Sequence, residues 1–165
     1  MLHLPPRAGD QPRTTSTNPH QQQSQNPTPE VYELLLSRAF DFPHVERRAS
    51  AISVPGAQAL WLSEQVGAGR PEAFLIGREF AHVHPPYDGS MHMMLPPDAV
   101  EQLLGKGWGE PHPLARRGLI PATAVMVYAP REAAEVDTVL QVLTASYRFA
   151  RGDDAGFAQS ATTSS

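Results

Sequence analysis

Between Glu79 and Leu95, apolar and histidine residues alternate on both sides of a short turn-forming stretch. This pattern constrains the fold more than any other part of the chain. Glu79-Phe80-Ala81-His82-Val83-His84 and Ser90-Met91-His92-Met93-Met94-Leu95 flank Pro85-Pro86-Tyr87-Asp88-Gly89. Two alternating runs joined by five residues rich in proline and glycine read as a β-hairpin. If His84 pairs with Ser90, His82 stands opposite His92. Because strand side chains alternate, His82, His84 and His92 then share one face. Phe80 and Met94 are expected to extend that face. Ala81, Val83, Met91, Met93 and Leu95 fall on the other, an apolar set suited to packing against helices. A one-residue slip would destroy the segregation.

The rest of the chain supplies the layers around this hairpin. Thr28-Pro29-Glu30 opens a helix to about residue 39: a hydroxyl cap, a proline whose missing N–H costs nothing, and an acid at the positive dipole end. Strands are expected over 49–54 and 59–63 about Pro55-Gly56, and again over 73–76. A short helix follows Pro96-Pro97-Asp98 to about Leu104. Residues 106–114 hold too many glycines and prolines for regular structure. Thr123 to Ala129 reads as a strand. After Pro130 the spacing of Val136, Val139, Leu140, Leu143 and Tyr147 predicts the longest helix, ended by Gly152. The expected fold is α+β, a small antiparallel sheet with helices packed on one face.

Of the first 28 residues, 18 are Gln, Pro, Ser, Thr or Asn and none is Phe, Trp or Tyr. That composition predicts a disordered tail over 1–28, a folded domain over 29–151 and a second tail over 152–165. With 165 residues there is room for one domain. The net charge of −4 and the lack of a basic run argue against nucleic acid as a partner. There is no cysteine, so any metal would have nitrogen or oxygen ligands. No apolar run reaches the roughly 18 residues of a membrane span, and Met1-Leu2-His3-Leu4 is cut short by Pro5 and Pro6, so no membrane association and a cytoplasmic location are expected. Neither a phosphate-binding glycine loop nor a serine nucleophile elbow is present.

Three imidazoles on one sheet face can serve as a general base, with Asp88 as a partner that tunes them. They can equally ligate a divalent metal, with Asp88 as an oxygen ligand or as a partner behind a ligand. They can also do no more than line a half-exposed sheet, although a third histidine on the same face makes that ordinary assignment the weaker one. Trp108, set between glycines, suits either a pocket wall or a plug at the end of the sheet. Lys106 and His112 can supply a cation or proton donor to an anionic substrate. Arg78 and Arg131 stand at element ends, where a carboxylate clamp or a surface ion pair would fit.

The order of these motifs carries a resemblance. Arg78-Glu79-x-Ala81-His82-x-His84, Asp88 and His92 are followed by Lys106-Gly107-Trp108-Gly109, His112-Pro113-Leu114 and Tyr128-Ala129-Pro130-Arg131. From Arg78 to Arg151 the chain resembles the fungal luciferase family, whose enzymes oxidise 3-hydroxyhispidin, and the bacterial and fungal luciferase-domain proteins related to them. The resemblance implies addition of dioxygen to an enolisable pyrone-like or aromatic small molecule, through a cyclic peroxide and loss of carbon dioxide, with no cofactor. It makes His82, His84, His92 and Asp88 the catalytic group. Lys106, His112 or Arg78 would then stabilise the enolate and peroxide charge, and Trp108 and Tyr128 would stack on or wall off a planar substrate. Two rivals stand beside this reading: a metal-dependent enzyme using the same three histidines, and a module that binds a small molecule without turnover.

Overall fold

The computed structural model describes residues 1–153. Six strands form one antiparallel sheet in the order β1-β2-β3-β4-β6-β5. They are β1 (Val45–Ala49), β2 (Gln58–Leu62), β3 (Glu79–Val83), β4 (Met91–Met94), β5 (Gly109–Pro111) and β6 (Ala124–Val127). Helices α1 (Pro29–Ala39), α2 (Pro97–Gly105), α3 (Pro113–Arg116) and α4 (Ala133–Arg151) complete the α+β architecture. The expected hairpin register holds, with His82 opposite His92 and Val83 opposite Met91, and the His84 N–H donating to the Ser90 carbonyl at 2.9 Å.

The main core lies on one side of the sheet. Ala81, Val83, Met91 and Met93 pack there with Leu35 and Leu36 of α1 and with Val136, Val139 and Leu143 of α4. Thr28 caps α1 by accepting from the Val31 N–H, and Gly152 ends α4 in the left-handed conformation that glycine adopts at least cost. Of the C-terminal tail expected over 152–165, all but Gly152 and Asp153 lies outside the described residues.

Several expectations give way to the structure. The strand placed at 49–54 lies earlier, at Val45–Ala49, because Ser50 and Ala51 leave the sheet to bind the Glu79 carboxylate. Residues 73–76 are not a strand: Pro71–Ala73 is a 3-10 turn, and Ile76 makes a single bridge to Glu79. The 106–114 stretch is partly regular, since Gly109–Pro111 adds an edge strand to β6 and Pro113–Arg116 forms a short helix. The long helix begins at Ala133 rather than directly after Pro130.

The largest correction concerns residues 1–28, which lie folded across the histidine face instead of forming a disordered tail. Gln22 is buried, and its amide oxygen accepts from the Ala129 N–H at 2.9 Å. The Gln22 N–H donates to Asp88 at 3.0 Å, Asn26 donates to the Asp88 carbonyl, and Trp108 Nε1 donates to the Pro5 carbonyl. This segment is held by hydrogen bonds to buried polar groups, so its low apolar content was the wrong measure of its order.

Candidate functional site

A bulge in β3 sets the site. Leu60 pairs with Ala81 while Trp61 pairs with Glu79, so Phe80 is an extra residue between two registered pairs. The insertion reverses the alternation below Ala81. Phe80 therefore packs in the main core, with its ring 6.1 Å from that of Tyr147, and does not extend the histidine face as the simple alternation predicts. Glu79 takes that place. Its Oε2 lies 2.8 Å from His82 Nδ1, and the carboxylate also accepts from the Ser50 hydroxyl and the Ala51 N–H.

The face carries five histidines rather than three. His92 occupies the centre, with its Nδ1 3.1 Å from His82 Nε2 and its Nε2 2.8 Å from His20 Nδ1. Its ring centroid is 4.6 Å from that of His84 and 4.7 Å from that of His112. All five rings are buried. Carboxylates stand behind three of them. Glu79 holds His82, Asp88 lies 3.2 Å from His84 Nδ1, and Glu110 lies 2.9 Å from His20 Nε2. Ser90 links the second pair, accepting from His84 Nδ1 and donating to Asp88.

With one proton on each ring, these partners assign which nitrogens carry it. A carboxylate accepts, so His82 Nδ1 and His20 Nε2 are donors, and His84 Nδ1 donates to the Ser90 oxygen. His20 Nδ1 is then an acceptor, filled by His92 Nε2–H. The consequence is that His82 Nε2, His84 Nε2 and His92 Nδ1 all present lone pairs. His112 is the opposite case: its Nδ1 accepts from the Leu114 N–H at 3.1 Å, which leaves the proton on Nε2.

Electrostatics disfavours the charged form of three of the rings. Burial holds the His82 pKa below its usual value despite the opposing bond to Glu79. Burial, and then the neighbouring imidazoles led by His84, hold His92 well below. His112 is pushed down to about 4, by burial first and then by His20. For Asp88 burial acts upward, but the hydrogen bond and charge of His84 and two bonds from Ser90 outweigh it and the pKa falls. Glu110 falls as well, because bonds from His20, Thr14 and Tyr128 outweigh its burial.

Above the rings lies a cavity of about 420 Å³, lined by all five histidines and walled by apolar side chains that include Phe74, Leu75, Met94 and Ile120. Residues 52–54 and 18–20 also line it. This size falls in the range of small-molecule sites. Of the residues proposed from sequence, His82, His84, His92 and His112 meet here, and Asp88 supports His84 from beneath.

The remaining candidates lie elsewhere. Arg78 donates to the carbonyls of Leu62, Ser63 and Val66, tying down a loop. Trp108 is buried in the main core. The Lys106 carbonyl receives the Arg7 N–H. Arg131 pairs with Glu135. Tyr128 is on the histidine side but sealed beneath the N-terminal segment, bonded to Glu110 and Gln11. None of these five lines the cavity. Sequence reasoning missed His20, Glu79 and Glu110. Glu79 was within reach, standing three residues before His82, whereas His20 and Glu110 sit in segments read as irregular.

The fold and the site together define a small α+β domain with a histidine-floored cavity on the sheet face opposite its main core. Residues 77–146 match the family model described as Luciferase domain, so this stretch of the chain is similar to luciferase domains. It is 31% identical over 169 aligned residues to a luciferase of Armillaria gallica and 30% identical to one of Armillaria ostoyae, in each case over 93% of this chain and 63% of the relative. A luciferase of Neonothopanus nambi is 37% identical over 81 residues, 48% of this chain and 30% of the relative. The chain thus spans somewhat under two thirds of the curated relatives it matches. No solved structure matches it. Among the described residues no helix is long and apolar enough to cross a membrane.

Proposed function

We propose that this domain is an oxygenase that binds an enolisable, planar aromatic or pyrone-like molecule in the histidine-floored cavity and presents its enolate to dioxygen. The observation that carries this reading is the pairing of unlike nitrogens at one cavity floor. His82 Nε2, His84 Nε2 and His92 Nδ1 accept, and His112 Nε2 donates. An enol proton can pass to an accepting nitrogen, which is general-base catalysis worth typically 10² to 10⁴ in rate. His82 Nε2 and His92 Nδ1 are close enough to share that proton. The enolate oxygen is stabilised by the His112 N–H. The electron-rich carbon then gives its electron pair to dioxygen, which is reduced to a carbon-bound peroxide. Apolar walls keep water from that intermediate. The luciferase name of the fungal relatives supports the reaction class, and light emission is no part of the proposal for this chain.

The test is a dioxygen-electrode assay with hydroxylated 2-pyrones as probes, beside anaerobic titration of the same compounds followed by their absorbance. Saturable binding with oxygen uptake, lost by at least 100-fold in His92→Ala, is the expected result. Saturable binding without uptake would replace the oxygenase with a binding module. Neither binding nor uptake across the probe series would overturn the proposed substrate class.

A further inference from the structure

The proton assignments leave an imbalance at the centre of the cluster. His82 Nε2 and His92 Nδ1 face each other at 3.1 Å, and in the neutral cluster neither carries a proton. Two lone pairs at that distance repel unless something positive sits between or beside them. His84 Nε2 adds a third lone pair on the same side: one ring nitrogen from each of His82, His84 and His92 lies within 4.8 Å of the others. Metal–imidazole bonds of about 2.0 to 2.1 Å put ligand nitrogens roughly 3 to 3.5 Å apart. The His82–His92 pair is already at that spacing, and the His84 ring nitrogen lies within 4.8 Å of both.

Charge argues the same way. Glu79, Asp88 and Glu110 stand behind the rings, the first two fully buried, and the cavity lining contains no arginine or lysine. Buried carboxylates without a cation are costly. Each would-be ligand also has its far nitrogen held, His82 by Glu79, His84 by Ser90 and Asp88, and His92 by His20 and through it Glu110. Carboxylate-backed imidazoles are the usual outer support of metal-binding histidines, because they fix the tautomer and raise ligand basicity.

We infer that His82 Nε2, His84 Nε2 and His92 Nδ1 form a three-nitrogen site for a divalent first-row transition ion, with Glu79, Asp88 and the His20–Glu110 pair as its outer shell. A second triad, His20, His92 and His112, has comparable spacing. It does not qualify, since His20 Nδ1 already receives the His92 proton and His112 Nδ1 is filled by the Leu114 N–H. The set is all nitrogen, which suits zinc, iron, cobalt or nickel and disfavours calcium and magnesium. Three protein ligands leave coordination positions open toward the cavity, as in catalytic rather than structural centres. The inference goes beyond the oxygenase reading and does not rest on it: an ion on these three lone pairs takes the place of the enol proton, so the metal-loaded cluster and the base-acting cluster exclude each other.

The experiment is equilibrium dialysis of the full chain against cobalt(II) at neutral pH, with metal counted by mass spectrometry and the cobalt absorption spectrum recorded. Wild type and His112→Ala should each bind about one ion. His84→Ala should bind none, and Glu79→Gln should bind some 10- to 100-fold more weakly, with circular dichroism confirming that each variant is folded. No binding by folded wild type would overturn the site and leave a shared proton between His82 and His92. Loss in His112→Ala with retention in His84→Ala would overturn the ligand assignment. The wild-type and His112→Ala results decide the question even if His84→Ala fails to fold. Because no pyrone is present, a failed oxygen assay cannot be mistaken for a failed metal site.

Discussion

Glu79 Oε2 lies 2.8 Å from His82 Nδ1 only because Phe80 is bulged out of register between them. The carboxylate satisfies three donors at once, from Ser50, Ala51 and His82. Glu79→Ala leaves all three without that acceptor in a buried place. Unsatisfied buried groups cost about 1 to 3 kcal/mol each, so a loss of at least about 2 kcal/mol in urea denaturation is expected. Glu79→Gln keeps the shape and one acceptor oxygen, and should lose less. Equal, negligible losses in both would show that the 50–54 loop is not anchored here.

Acid should unfold the domain earlier than its carboxylates alone would require. His82, His92 and His112 have folded-state pKa values below 6.5, His112 at about 4. Between those values and 6.5 the unfolded chain binds more protons than the folded one, so stability rises with pH through that window and is lost as pH falls. Asp88 and Glu110, also lowered, act in the same direction at lower pH. Denaturant midpoints should be flat above about pH 7 and fall from 6.5 toward 4. His112→Asn should show a shallower fall than wild type, and an identical slope would remove His112 from the cause.

The hairpin register was legible because alternation about a short loop admits one pairing that keeps Met91 and Met93 in the core and His92 out of it. The bulge was not, since an inserted residue leaves no compositional mark and Phe80 is as plausible on either face. His20 is 72 positions from its partner His92 and lies in a segment whose order depends on hydrogen bonds to Asp88 and Ala129, which no local pattern records. For Trp108 and Arg78 the residue type allows a substrate contact or a structural role, and both bond backbone carbonyls outside the cavity lining. Residue chemistry identified which side chains can act, and only the packed structure determined which of them have free atoms at the cavity.

The N-terminal segment should behave as part of the fold. Gly89 has φ of +80°, and a Cβ there would lie 2.4 Å from Pro27 Cγ. Gly89→Ala therefore strains the turn and pushes the segment away. Trypsin should cut wild type at Arg7 and Arg13 slowly and Gly89→Ala much faster, read by intact-mass spectrometry. Rapid cutting in wild type would mean that the contacts of Gln22 and His20 do not hold the segment in solution.

Trp108 and Arg78 should govern stability and leave the cavity's chemistry alone. Removing a buried indole typically costs about 3 to 5 kcal/mol, and Trp108→Ala also frees the Pro5 carbonyl. Trp108→Phe keeps most of the packing and loses chiefly that bond, about 1 kcal/mol. Arg78→Met leaves the carbonyls of Leu62, Ser63 and Val66 without their donor, so a loss near 2 kcal/mol is expected, from about 1 kcal/mol per lost bond partly recovered by water. Neither Trp108→Phe nor Arg78→Met should change the affinity for a cavity ligand by more than about twofold, since neither side chain lines the cavity. A tenfold loss of affinity at unchanged stability in either variant would return that residue to the substrate, and would require the cavity to extend past the histidine floor.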